Sequence, residues 1–232
     1  MENIKDFAKQ IDIEIDDQEL FVTALTHRSY LNEYRRRQNV EHNERLEFLG
    51  DAVLELIVTE HLYKTYDEPE GILTNWRSAL VKTESLSSVG QELGIEQYIR
   101  LSKGEKNGSR RARLQILANT MEALIGAIYL DQGYEAAQKF VTDTIISTLP
   151  TILDEGTWMD AKTKLQELIQ EVEGETPVYE VLGEEGPDHD KWFSVGVYVG
   201  SDLRGKGGGA SKQSAQQKAA ANALESMEGQ NS

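Results

Sequence analysis

A chain of 232 residues that is 39% hydrophobic and 28% charged has enough apolar content for one large domain or two ordinary ones. It contains no cysteine, which excludes disulfides, thiolate zinc sites and cysteine nucleophiles; any metal must be held mainly by oxygen, with four histidines as minor candidates. A formal net charge of −16 argues against binding a polyanion through the whole surface, so any nucleic-acid contact must rest on local clusters of Lys and Arg.

The polar start from Met1 to Asp6 does not read as a secretory signal, and no apolar run is long enough to span a bilayer. The expectation is a cytoplasmic protein with no membrane partner. Residues 1–40 read as short helices, with Phe7-Ala8 and Phe21-Val22 at helical spacing. His27 closes an amphipathic segment and is expected to be a hydrogen-bonded packing residue. Arg35-Arg36-Arg37 falls in a polar stretch expected to be a surface loop.

Residues 43–66 are expected to form a helix, stopped by Asp67-Glu68-Pro69-Glu70-Gly71. At about 100° per residue, Glu44, Glu47 and Asp51 fall within roughly 60° of one another. Apolar residues such as Leu46, Leu49, Val53, Leu54 and Ile57 cover most of the remaining circumference, so the helix is expected to be buried. Buried carboxylates require a cation. Arg45 and other bases could supply it as salt bridges, or a bound metal could; the stretch alone leaves these evenly balanced.

Residues 73–93 predict one or two amphipathic helices with Trp76, Leu80, Val81, Leu86 and Val89 toward the core and Gly94 as a stop. Residues 100–113 gather Arg100, Lys103, Lys106, Arg110, Arg111 and Arg113 against Glu105 alone. With glycines at 104 and 108 the stretch reads as a mobile loop, and in so acidic a chain it is the better candidate for a phosphate contact. Residues 115–130 predict a second buried helix, with Asn119 and Glu122 on one face and Gly126 permitting close helix approach. Residues 134–149 form another amphipathic segment, and 151–159 read as a linker after Pro150.

Beyond the linker the period changes. A helix over 162–172 is followed by alternating strands at 178–182 and 192–199, a glycine-rich turn into a short third strand or loop, and an alanine-rich helix capped by Ser211. The expected architecture is therefore an all-α domain over 1–150 and a small α+β module (α-β-β-β-α) over 160–228.

Both parts resemble a known family. His42-Asn43-Glu44-Arg45-Leu46-Glu47-Phe48-Leu49-Gly50-Asp51 is similar to the nine-residue signature of bacterial ribonuclease III with its flanks, and Ile116-Leu117-Ala118-Asn119-Thr120-Met121-Glu122-Ala123-Leu124-Ile125-Gly126 resembles its second block. Thr26-His27-Arg28-Ser29-Tyr30 and Glu70-Gly71-Ile72-Leu73-Thr74 are similar to further family segments. Lys164-Leu165-Gln166-Glu167, Pro177-Val178-Tyr179, Gly186-Pro187-Asp188-His189 and the run from Gly205 to Lys212 resemble a double-stranded-RNA-binding domain.

The resemblance implies a magnesium-dependent endoribonuclease for double-stranded RNA, with manganese as a substitute ion, acting on structured rRNA and mRNA precursors. It implies Glu47, Asp51, Asn119 and Glu122 as metal ligands, Asp51 and Glu122 as the catalytic pair, and Glu44 and Glu70 as accessory acids. Asn119 departs from the aspartate usual in the second block. An amide oxygen can still coordinate magnesium but adds no charge, so weaker metal binding is expected, and Asn119→Asp is expected to lower the magnesium requirement. The alternative reading is an RNA-binding protein impaired in cleavage by Asn119. Phe48 is implied as a homodimer contact. Thr163, Gln166 and Gln170 are implied to meet one minor groove, His189 the next, and Lys212 and Gln213 the phosphates between. Residues 160–228 carry 13 acids and 7 bases, a net of −6, which predicts shape-driven RNA binding with a modest salt slope.

Overall fold

The computed structural model describes residues 2–33, 41–156, 158–187 and 191–228. The Arg35–Arg37 stretch and His189 lie outside them. The chain divides into two compact units, Met1–Trp158 and Met159–Ser232.

The first unit is helical. In chain order it carries α1 (Glu2–Gln10), α2 (Gln18–Ala24), α3 (Arg28–Glu33), α4 (Glu44–Thr65), α5 (Glu70–Val81) and α6 (Thr83–Glu92). A single turn α7 (Lys103–Lys106), then α8 (Arg110–Gln132), α9 (Tyr134–Thr144) and α10 (Leu149–Asp154) complete it. Gly94 ends α6 in the left-handed region at φ 65°, a conformation glycine adopts without the steric cost of a Cβ. The long helices α4 and α8 form the centre. Leu54, Ile57 and Val58 from α4 meet Met121, Leu124 and Ile125 from α8, with Phe7, Phe21, Leu80 and Leu86 closing the core around them.

Glycine sets how closely those two helices approach. A Cβ on Gly50 would fall 1.7 Å from the Glu122 carbonyl oxygen, and one on Gly126 would fall 2.4 Å from that of Leu46. No side chain fits there, so backbone rests on backbone and the carboxylates of both helices are drawn to one place.

Two expectations need correction. The helix α4 is not buried on nearly all sides. Phe48 is 81% exposed, Leu56 57% and Tyr63 79%, so among the described residues of this unit the outward positions Phe48, Ala52, Leu56 and Tyr63 of α4 are left uncovered. Residues 100–113 are also not an irregular loop. Ser102 Oγ accepts from the Glu105 amide at 3.2 Å and opens α7, and Ser109 Oγ accepts from the Ala112 amide at 3.2 Å and opens α8. The N-caps outweigh the two glycines. Among the described residues, no helix is long and apolar enough to cross a membrane.

The second unit runs α11 (Ala161–Val172), β1 (Val178–Glu185), β2 (Trp192–Val199), β3 (Asp202–Gly209) and α12 (Lys212–Glu228). The strands form an antiparallel sheet in the order β1-β2-β3, with Val181 opposite Val195 and Val195 opposite Gly207. Leu165 and Ile169 of α11 and Ala215, Ala219 and Ala223 of α12 pack with Val195, Val197 and Val199. The glycine-rich segment is a full strand rather than a turn. Gly205 and Gly207 lie against the Ala219 backbone, where a Cβ would come within 2.4 and 2.3 Å of it. Alternate glycines facing an alanine row let helix and strand touch directly.

Candidate active site and RNA-binding surfaces

The first turns of α4 present Glu44, Glu47 and Asp51, and the middle of α8 presents Asn119 and Glu122. Across the glycine contact these become one acidic site. Burial, followed by the charges of Asp51 and then Glu47, pushes the Glu122 carboxyl up to about 7. Burial also raises Glu47 above the ordinary carboxylate range, and the nearby charges of Glu44 and Asp51 act in the same direction, against a hydrogen bond from Asn119.

The ion pairs separate Glu44 from the other acids of the stripe. Glu44 is paired: its carboxylate lies 3.0 Å from Arg28 Nη1 and 3.8 Å from His42 Nδ1. Arg45 turns to Glu41 instead, at 3.9 Å. No ion pair among the described residues includes Glu47, Asp51 or Glu122. Among the described residues these three carboxylates repel one another with no base to offset them.

Among the described residues, no three His, Cys, Asp or Glu side chains close into a ready coordination cage. The donor set still fits a hard divalent ion of the magnesium type, which keeps several waters and takes only one or two protein carboxylates beside phosphate oxygens.

Asn119 sits between the helices. Its Nδ2 donates to Glu47 Oε1 at 2.9 Å, and its Oδ1 accepts from Gln115 Nε2 at 2.7 Å. The structure thus turns the amide nitrogen, rather than the oxygen, toward the acids. Glu70 stands apart in the exposed first turn of α5, accepting from Thr74 Oγ1 at 3.1 Å; it is not among the charges acting on Glu47 or Glu122. His27 is half-buried with Nδ1 2.8 Å from Ser29 Oγ, and burial, its largest influence, lowers its pKa. That is the packing role expected of it.

Sequence reasoning missed Gln115, although its place four residues before Asn119 is the spacing at which helical side chains meet. It also missed Gly50, whose effect lies in a neighbour distant along the chain.

Two further surfaces matter. Lys103, Lys106, Arg110, Arg111 and Arg113 are exposed, and no ion pair among the described residues includes them. They lead into α8, with Arg113 six residues before Asn119, about 9 Å along the axis. In the second unit Gln166 and Gln170 are exposed on α11, while the Thr163 hydroxyl is engaged by Asp160 Oδ2 at 2.8 Å. Gln213 is exposed at the start of α12. Lys212 pairs with Glu184 at 3.2 Å and stands over the Phe193 ring.

An all-helical unit with an unpaired carboxylate cluster, followed by an α-β-β-β-α module, is the architecture of a two-part RNA-processing nuclease. Residues 17–149 match the family model described as Ribonuclease-III-like, and residues 161–227 match that of the double-stranded RNA binding motif. The chain belongs to the ribonuclease III family. It is 42% identical to ribonuclease 3 of Borreliella afzelii over 97% of this chain and 91% of that one. It is 44% identical to ribonuclease 3 of Natranaerobius thermophilus over 94% of each. Among solved structures, a nuclease domain of ribonuclease III from Campylobacter jejuni, described for flexibility in a region involved in its dimer formation, matches with a TM-score of 0.56 at 36% identity. That match covers 63% of this chain and 99% of that one.

Proposed function

We propose that this protein is an endoribonuclease that hydrolyses phosphodiester bonds of double-stranded RNA, leaving 5′-phosphates and short 3′ overhangs, and that it processes structured precursors such as rRNA and mRNA in the cytoplasm. The observation that carries this reading is the convergence of Glu47, Asp51 and Glu122 without a base to neutralise them, on a chain that also carries a double-stranded-RNA-binding module.

Glu47, Asp51 and Glu122 would hold a magnesium ion, with Asn119 beside them. When bound, that ion, or manganese in its place, supplies an activated water and charge stabilisation for the phosphoryl oxygens. Asp51, with Glu122 beside it, would orient that water and Asp51 would accept its proton. In the metal-free chain the Glu122 carboxyl is held at about 7 by burial and by Asp51 and Glu47, so binding of the ion would displace a proton from it near neutral pH. Glu44, held by Arg28, and Glu70 are accessory acids.

The division of labour proposed is nuclease over residues 1–150 and RNA recognition over 160–228, joined by 151–159. Gln166, Gln170 and Thr163 face a minor groove, His189 its neighbour, and Lys212 with Gln213 the intervening phosphates. The bare cations at the start of α8 add a backbone contact beside the acids. The exposed Phe48 stripe of α4 is the face on which a second copy docks, giving one acidic site for each strand of a duplex.

One gel tests the central reading. A long RNA duplex incubated with the protein and magnesium should be cut to short duplexes, and a chelator should stop cutting while leaving a mobility shift. A shift with magnesium present and no cleavage would favour an RNA-binding protein instead.

A further inference from the structure

We propose that Gln115 is a positioning residue for the acidic site, acting on Glu47 only through Asn119. This rests on the reading of Glu47, Asp51 and Glu122 as the cation-holding acids, and it gives the amide at 119 a role other than that of a ligand.

The geometry is a chain of donors that all run one way. Thr83 Oγ1 approaches Gln115 Oε1 at 3.4 Å, Gln115 Nε2 donates to Asn119 Oδ1 at 2.7 Å, and Asn119 Nδ2 donates to Glu47 Oε1 at 2.9 Å. Chemistry fixes that direction. An ionised carboxylate only accepts, so the group facing Glu47 must be the Asn119 NH₂. Its oxygen then faces Gln115, which must present its own NH₂. The Gln115 oxygen is left to Thr83, a hydroxyl able to donate. Each amide is oriented by the one before it, and successive bonds in such a chain polarise one another.

The consequence lies in Glu47. One of its oxygens is held by Asn119 at 2.9 Å, which fixes the rotation of the carboxylate and leaves the other oxygen available to a cation. An aspartate at 119 could not donate at 2.9 Å from Glu47. The amide is therefore matched to Gln115 and Glu47 as a set, and what it supplies in place of a charge is a fixed orientation of the Glu47 carboxylate.

Manganese binding to the full-length protein without RNA tests this, measured by calorimetry alongside the kinetics of duplex cleavage. Gln115→Leu removes the first amide without touching Asn119. It should weaken manganese affinity by about three- to tenfold, the range of one net hydrogen bond, and raise the magnesium needed for cleavage while leaving the KM for RNA unchanged. In an Asn119→Ala background the same substitution should have no effect on manganese affinity, because its only route is gone. The proposal is overturned if Gln115→Leu leaves manganese affinity unchanged in the parent, or lowers it equally in both backgrounds. A control separates this from the underlying reading: if Glu47→Gln and Glu122→Gln both bind manganese as the parent does, the acids do not hold the ion and the reading itself fails.

Discussion

Gly50 of α4 and Gly126 of α8 face each other so closely that a methyl group on Gly50 would sit 2.9 Å from the Gly126 nitrogen, and one on Gly126 would sit 3.1 Å from the Gly50 nitrogen. The neighbours are backbone atoms of two packed helices, which cannot rotate aside as a side chain would. Gly50→Ala should therefore push the helices apart, at the upper end of the roughly 1–3 kcal/mol cost of overpacking or beyond it. Thermal unfolding should show the loss. Manganese affinity should fall with it in whatever fraction remains folded, since Glu122 moves away from Glu47 and Asp51. A stable variant with unchanged affinity would mean that the crossing does not gather the acids.

The site should also make the metal-free protein sensitive to alkali. The Glu122 carboxyl lies at about 7 in the folded chain against an ordinary 4.5, raised by burial and by Asp51 and Glu47. Between those values the folded chain keeps a proton that the unfolded chain has released. Its stabilising contribution is complete below the lower value and disappears as the pH rises through the upper one. Glu122→Gln, a permanent mimic of the protonated acid, should melt near the parent at about pH 5 and above it at about pH 8, without metal. Magnesium should restore the parent at the higher pH and leave the variant unmoved. A constant melting gap across that range would count against the three-acid coupling.

On the outer side of α4, Phe48 and Tyr63 are about four-fifths exposed, at 81% and 79%. A second copy covering this stripe would remove a large apolar area from water. Phe48→Ala should convert a sedimenting dimer to monomer at micromolar concentration without lowering the helical content. A dimer that survives the substitution would locate the interface elsewhere.

The cations entering α8 are predicted to meet phosphates rather than read bases. Replacing Arg110, Arg111 and Arg113 together by alanine should raise the KM for duplex RNA and reduce the salt slope of binding by roughly one for each phosphate that is no longer neutralised. The cleavage rate at saturating RNA should hold. A slope that does not change would make them a solvated surface.

Much of this was legible in the order of residues. The grouping of Glu44, Glu47 and Asp51 on one face follows from the helical period, and the change from helical to strand period past residue 160 marks the second module. What the order could not give was neighbours across the fold. The partner of Glu44 is Arg28, sixteen positions upstream, and that of Glu47 is Asn119 on another helix, 72 positions along the chain. Periodicity alone could not tell the exposed Phe48 from a core residue, since both are apolar positions on a helix; only the family resemblance pointed to it as a contact outside the core. The glycines of β3 suggested a turn, since a residue chosen for the absence of a side chain resembles one chosen for backbone freedom.

That strand has a consequence for how the RNA-binding module can vary. Where β3 meets α12, Gly205 and Gly207 lie directly on the Ala219 backbone, so the seam has almost no rotatable atoms. A larger residue at 205, 207 or 219 cannot be accommodated by a change of rotamer; α12 must move as a rigid lever. Lys212 and Gln213, at its tip, would be carried with it and would miss the phosphate spacing together. Substitutions at these three small residues should thus read out as lost recognition of the duplex while the fold persists.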